Sequence, residues 1–375
     1  MALDTWTNLS YANVATTSPT AHRIASEWSD ALARGGAAEF DGEAEKNVMI
    51  PLRRATARML SCGIEDVCVG SSATELLCSL AWAISPPSDS NIVSTRASFP
   101  STVYPWRRVA QESGAEIRLA GHDEDFYTDP GEILALIDQD TSVVSLSHVE
   151  YSNGQRYDLS RFAAAAHSVG AMLIVDATQS MGMLPIDARA TGADALVSSG
   201  YKWLRGTFGA AVGYISPSVR GDLVPGLLGF RSHSDLWDLR ADRLELPDDA
   251  SRFEYTTIHF GAALGLAAAV EELVERGMDE VWRHDLSLAD IVVEGASSLG
   301  LGVASPFSDA ERSAIVSLRL PEGTSSEEVA RRLRDEYRIL VTSRAGLLRV
   351  SPHIDNDAED VGMLFEALAE LLGQT

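Results

Sequence analysis

Lysine is nearly absent from this chain. The 30 Lys and Arg residues include lysine only at positions 46 and 202. Arginine keeps its proton near neutrality, whereas a desolvated lysine amine can lose it and form an imine. Lys202, in the stretch "SSGYKWLRG", is therefore a candidate for chemistry that arginine cannot perform. Positive charge is scarce overall, with a formal net charge of −24. Nucleic acids and anionic membranes are held by neutralising phosphates with basic side chains, so neither is expected as a partner. Cysteine is limited to Cys62, Cys68 and Cys78, an odd set with no CxxC spacing and no clustered histidines. That pattern excludes a disulfide framework and a zinc site, and no metal is expected. No apolar run approaches the ~20 residues of a membrane helix. The opening "MALDTWTNLS" lacks a basic-then-apolar leader pattern, so a cytoplasmic location is expected.

What is present is an ordinary globular composition, 45% hydrophobic and 22% charged, in 375 residues. That length predicts two domains. From residue 64 onward, short β-branched runs alternate with amphipathic segments: "DVCVG", "ATELLCSLAWAI", "NIVST", "STVYPWRRVAQESG", "AEIRLA", "SVVSLS", "LSRFAAAAHSVG", "MLIVDA". Strand followed by helix, repeated, predicts an α/β domain with a mostly parallel sheet. "ALVSSGY" and "AAVGYIS" follow each other without a long helix between them, which predicts an antiparallel portion there. The run "GAALGLAAAVEELVERG" reads as a long connecting helix, with small residues for close packing at its start and Gly277 at its end. The expected organisation is an N-terminal arm with one helix over 1–40, a large α/β domain over 41–260, and the connecting helix with a small α+β domain over 261–375. Thr324 to Glu327 matches a capping box.

Three loops stand at carboxyl ends of predicted strands, where open α/β sheets place ligands. In "VGSSATELL", Ser72, Ala73 and Thr74 would offer backbone and hydroxyl donors to a phosphate, or would simply cap a helix. In "LIVDATQS", Asp176 ends a buried strand and Gln179 follows it. A carboxylate there either serves the loop or holds a proton on a heteroaromatic nitrogen, making the ring a better electron sink. Ser199 and Tyr201 flank Lys202. A phosphate cradle, an acid and a lysine amine together fit pyridoxal 5'-phosphate (PLP).

In these motifs and their order the chain resembles the class V aminotransferase group of fold-type I PLP enzymes, from about residue 45 to the end. That group includes cysteine desulfurases, kynureninases, isopenicillin N epimerase-like proteins and carbon–sulfur lyases. The resemblance implies an α/β fold-type I transferase with a mostly parallel central sheet. It makes Lys202 the Schiff-base lysine, Asp176 the partner of the pyridine nitrogen and Gln179 a donor to the phenolic oxygen. Thr74, Ser199 and Tyr201 would bind phosphate. In "RASFPSTVYPW", similar to the kynureninase-like branch, Phe99 would stack on the ring. In "RFEYTTIHFGAALGLAAA", Thr257 would reach the partner's phosphate across a homodimer interface. In "LLRVSPHIDNDAEDVGML", Arg349 would fork onto the carboxylate of an amino acid substrate.

The chain departs from the desulfurase pattern in three ways. Tyr151 stands where desulfurases have asparagine, and Gly206 and Thr207 replace a glycine–proline pair. No cysteine follows position 78, whereas desulfurases carry their persulfide-forming cysteine just before the carboxylate-binding arginine. The reaction expected is therefore carbon–sulfur β-elimination from an S-substituted cysteine without a persulfide on the protein. Epimerisation, transamination and decarboxylating oxidative deamination are alternatives within the family. A non-catalytic PLP-binding sensor or partner subunit is the alternative of another class.

Overall fold

The protein is described by a computed structural model covering residues 6–38 and 40–373. Its frame is a seven-stranded sheet. From edge to edge the strands are Val67–Gly70, Ala211–Ile215, Ala195–Ser199, Met172–Asp176, Thr141–Ser147, Asn91–Thr95 and Glu116–Ala120. Only Ala211–Ile215 runs against its neighbours. Between it and Ala195–Ser199 lies the Lys202 loop rather than a crossover helix, and a strand that returns without a crossover lies antiparallel.

Side chains alternate between the two faces, and both faces are covered. Leu173 and Val175 pack on one side with Leu196 and Val212, against the helices Ile50–Met59, Leu159–Ser168 and Phe260–Arg276. Ile174 points the other way, with Ile92 and Val197, against Ala73–Ile84 and Pro100–Ser113. Burial on both faces explains why the inner strands read as continuous apolar runs. The strands Val67–Gly70, Asn91–Thr95, Thr141–Ser147, Met172–Asp176 and Ala195–Ser199 all end at the same rim.

Beyond the helix Phe260–Arg276 comes a four-stranded antiparallel sheet, in the order Thr342–Arg344, Leu347–Val350, Val316–Arg319, Gly302–Val303. The helices Met278–Ser298, Ser326–Tyr337 and Ala358–Leu371 share a core with it through Val292, Leu318, Leu333, Leu348 and Leu364. The predicted capping box is displaced by one residue. Ser325, not Thr324, caps the helix by accepting from the Glu328 amide at 3.2 Å, and the Glu328 carboxylate pairs with Arg331 instead of turning back.

The helix Pro19–Gly35 lies along Phe260–Arg276. A Cβ at Gly265 would stand 2.6 Å from the Ala21 carbonyl oxygen, so the small residues at the start of the second helix are what allows this approach. Upstream, Thr7–Asn8 pairs in parallel with Ile339–Leu340, and Leu9 and Tyr11 are fully buried. The arm thus joins the small sheet to the Lys202 loop, where Ala15 N donates to Tyr201 O at 3.0 Å and Ser18 N to Arg205 O at 2.9 Å.

Candidate active site

A cavity at the rim brings together Ala73, Thr74, Phe99, Asp176, Gln179, Ser199, Tyr201 and Lys202. These residues come from four separate segments of the chain. Lys202 is only 9% exposed, and its Nζ lies 5.6 Å from the centre of the Phe99 ring and 5.8 Å from that of Tyr201. Burial pushes its amine down to about 8, with the Arg349 and Arg344 charges adding to that and Asp176 opposing it. Asp176 is held at the end of its strand: Oδ1 accepts from Thr178 N at 2.9 Å and Oδ2 from Thr102 Oγ1 at 3.3 Å. A buried carboxylate so oriented suits a protonated ring nitrogen.

Both readings of the "VGSSATELL" stretch apply, to different residues. Ser72 caps the helix, accepting from Glu75 N at 3.1 Å, and is not on the cavity wall. Ala73 and Thr74 are on it. Ala73 N donates to Ser199 Oγ at 3.1 Å and Thr74 Oγ1 to Ser101 Oγ at 2.9 Å, so hydroxyls and the positive end of a helix converge there. That cradle is suited to an anion. Gln179 is less free than its predicted role suggests: Nε2 donates to Ala12 O and Oε1 accepts from Trp203 Nε1, both at 2.9 Å. One N–H is left to face the cavity.

The lysine loop is closed without a proline. Arg205 adopts a left-handed conformation (φ 55°), its amide donates to Lys202 O at 2.8 Å, and Gly206 N donates to Gly200 O at 2.8 Å. The Arg205 guanidinium then forks onto Asp355, at 3.1 and 2.7 Å. Tyr11 donates to the same carboxylate at 2.5 Å. An ion pair to the small domain thus does what a rigid dipeptide would do.

Arg349 and Thr257 lie off the cavity wall. Arg349 is 1% exposed; Nη1 donates to Tyr151 O, while Nε and Nη2 have no partner. Burial lowers its pKa to about 9, so it stays cationic at neutral pH. Buried donors without acceptors are costly, and they fit a ligand carboxylate. Thr257 is exposed in a surface hollow with Trp28, Phe40 and His259, away from its own chain's cavity.

Sequence reasoning missed Glu150. It is fully buried between two residues of the cavity wall, Val149 and Tyr151, and accepts from Ser98 Oγ at 2.9 Å. Burial, with the Asp176 charge adding to it, raises its carboxyl to about 8, so it is neutral at pH 7. An acid closing the apolar run "SVVSLSHVE" was the available signal. Arg344 was also missed; "TSRAGLLRV" is a hairpin pattern that places it on the same face as Arg349.

The residues present fit PLP and an amino acid: a buried amine without a hydrogen-bond partner among the described residues, a fixed carboxylate, an aromatic face, a hydroxyl-lined helix terminus and an arginine with two donors unanswered among them. The sequence model of the family Aminotransferase class-V matches residues 17–364. The chain belongs to that family, and its architecture is the fold-type I fold. It is a PLP-dependent enzyme. A probable cysteine desulfurase of Methanothermobacter thermautotrophicus is 26% identical over 337 residues, covering 86% of this chain and 83% of that protein. A kynureninase of Deinococcus radiodurans is 29% identical over 306 residues, 79% and 72% of the two chains. Among solved structures, a cystine C-S lyase in complex with its reaction product cysteine persulfide superposes with a TM-score of 0.88 at 20% identity, over 98% of both chains. The described residues hold no group of histidines, cysteines and acids able to bind a metal, and no helix among them is long and apolar enough to cross a membrane.

Proposed function

We propose that this enzyme is a carbon–sulfur β-lyase acting on an S-substituted cysteine without forming a persulfide on the protein. The observation that carries this reading is the hairpin before Arg349. Its two strands, Thr342–Arg344 and Leu347–Val350, are joined by Ala345 and Gly346 alone, with φ of 52° and 80°. A tight turn without cysteine cannot carry a sulfur nucleophile over the cavity. Cys62, Cys68 and Cys78 line no part of the cavity, and burial raises all three thiols, Cys62 to about 12. The desulfurase relatives support a cysteine-type substrate.

PLP supplies an electron sink at the substrate's α-carbon. The chain's residues do the rest. Asp176 would hold the proton on the cofactor's ring nitrogen, Phe99 would offer it an aromatic face, and the Ala73 and Thr74 helix terminus with Ser199 and Tyr201 would hold its phosphate. Arg349 forks onto the substrate carboxylate and fixes the α-carbon. The Lys202 amine, whose pKa burial lowers to about 8, would accept the α-proton in its unprotonated form. Tyr151, whose phenol is held protonated by burial, can hydrogen-bond the departing sulfur. The Cα–H and Cβ–S bonds break, the sulfur leaves as a thiol, and water converts the remainder to pyruvate and ammonia. Thr257 completes the phosphate site of the partner in a homodimer.

The test is mass spectrometry of products from a panel of S-substituted cysteines in heavy water. Thiol and pyruvate should form, persist when all three cysteines are replaced, and vanish in Lys202→Ala. Intact amino acid deuterated at the α-carbon would mean epimerisation instead. A keto acid without thiol would mean transamination, and an aldehyde without thiol oxidative deamination. Loss of turnover in the cysteine-free variant, if it remains folded and loaded with cofactor, would restore the persulfide route.

A further inference from the structure

We infer that the substrate carries a second negative charge at the far end of its side chain, and that Arg344 selects for it; this rests on the reading of the cavity as an amino acid site. The hairpin places the two arginines together. Thr342 lies opposite Arg349 and Arg344 opposite Leu347. Residues two apart on a strand share a face, so Arg344 and Arg349 project to the same side. They are electrostatic neighbours of each other, of Lys202 and of Tyr151, whose titrations both arginines shift in the expected directions.

Neither guanidinium has a carboxylate partner among the described residues. Arg344 donates to Ser343 O at 2.9 Å and to Asn13 Oδ1 at 2.8 Å, both neutral acceptors, and it forms no ion pair among the described residues. The chain holds 54 acidic residues, and several of its arginines find them, as Arg205 does Asp355 and Arg312 does Asp290, while others, such as Arg252, are answered by a set of backbone carbonyls. Two like charges side by side on one face oppose folding. What sets this pair apart is that the two charges share one face and that Arg349 keeps two buried donors unanswered, an arrangement suited to ligand anions.

The charges of the site show how many. Asp176 is committed to the cofactor's ring nitrogen, and the cofactor phosphate belongs at the Ala73 and Thr74 end. The α-carboxylate answers Arg349. The half-buried Arg344 charge is left over, and a carboxylate, sulfonate or sulfinate ending the substrate side chain would match it through charge-assisted hydrogen bonds. Arg344 is then a specificity-determining residue for the elimination.

Two isosteric pairs test this. S-carboxymethylcysteine and its neutral amide report through kcat/KM for thiol release. Glutamate and glutamine have no sulfur leaving group, and report through dissociation constants read from the cofactor's absorption change in the holoenzyme. Wild type should favour the charged member of each pair by about tenfold or more, the order expected for one charge-assisted pair, and Arg344→Gln should collapse that ratio to about twofold or less. A wild-type preference for the neutral members would overturn the inference. So would an unchanged ratio in Arg344→Gln, or an equal fall for both members, which would make Arg344 merely a support for Asn13 and the arm. If thiol release fails for both cysteines while the glutamate preference and its loss are seen, the lyase reading falls and the distal-anion site stands.

Discussion

The buried Lys202 amine makes a quantitative prediction about the cofactor-free protein. Its pKa is lowered from 10.5 to about 8, first by burial. At pH 7 an ordinary lysine has roughly one free amine in 3000 molecules, and Lys202 has about one in 10, so about 300-fold more nucleophile is available. The rate of PLP capture, followed by absorbance as a function of pH, should therefore inflect near 8. Arg349→Gln removes a neighbouring cation and should move that inflection up; Asp176→Asn removes the opposing anion and should move it down. The same burial disfavours the folded state. Because the folded pKa lies below the unfolded one, the unfolded chain binds more protons between about 8 and 10.5, and stability rises with pH across that window. The cost is complete below pH 8, so Lys202→Met should stabilise the cofactor-free protein by about 3 kcal/mol at pH 7, with the difference shrinking as pH approaches 10.5. Urea unfolding at pH 7 and pH 10 reads both values. A capture rate that inflects above 10, with Lys202→Met no more stable than wild type, would refute a desolvated amine.

Other consequences follow from single contacts. Arg349→Gln leaves the substrate carboxylate unanswered and should lower kcat/KM by about 100-fold or more, as loss of one partner of a buried charge pair does. Asp355→Asn breaks the fork from Arg205, and since Asp355 is a third exposed the loss should be about 1–2 kcal/mol in urea unfolding, well under that of a fully buried pair. Gly265→Ala drives a methyl to 2.6 Å from the Ala21 carbonyl oxygen and should destabilise by about 1–3 kcal/mol. Gly362→Ala, inside the helix Ala358–Leu371 with nothing within 4 Å of the new methyl, should instead stabilise by about 0.5–1 kcal/mol, and thermal unfolding separates the two signs.

The residues that the sequence singled out without the family resemblance share one property: each stands where a strand's burial pattern stops. Asp176 ends the run Met172–Asp176, Lys202 follows Ala195–Ser199, and Ala73 opens the helix after Val67–Gly70. Chemistry at such breaks is legible because an apolar strand leaves few explanations for a charged residue at its end. Phe99, Thr257 and Arg349 were supplied by the family resemblance, and an arginine inside the strand Leu347–Val350 looks like one of many in an arginine-rich chain. Glu150 lies at a break too, yet it escaped notice. Its distinguishing feature is burial among Ser98, Ser147 and Tyr157, which arrive from separate parts of the chain. The displaced helix cap has a similar cause. In Thr324-Ser325-Ser326 each hydroxyl is a fit cap, and the choice belongs to the fold: Ser326 is drawn off to Ser343, leaving Ser325 for the Glu328 amide.

The arm shows a second limit on reading side chains alone. Its links to the site run largely through main-chain atoms: the Ala12 carbonyl receives Gln179, the Ala15 amide reaches the Tyr201 carbonyl, and the Ser18 amide reaches that of Arg205. Almost any residue supplies such groups, so no motif records them. They nonetheless decide what Gln179 and the lysine loop can do. The Gln179 amide oxygen is tied to Trp203 and one amide hydrogen to the arm, which fixes the plane in which the remaining hydrogen meets a ligand. Among the described residues Asn13 takes the Arg344 hydrogen bond that leaves the hairpin, so the same short segment touches both the loop that bears Lys202 and the hairpin that bears Arg344 and Arg349. The N-terminal segment is set apart by sequence as an arm; by its contacts it is a brace common to the lysine loop, Gln179 and the hairpin of Arg344 and Arg349.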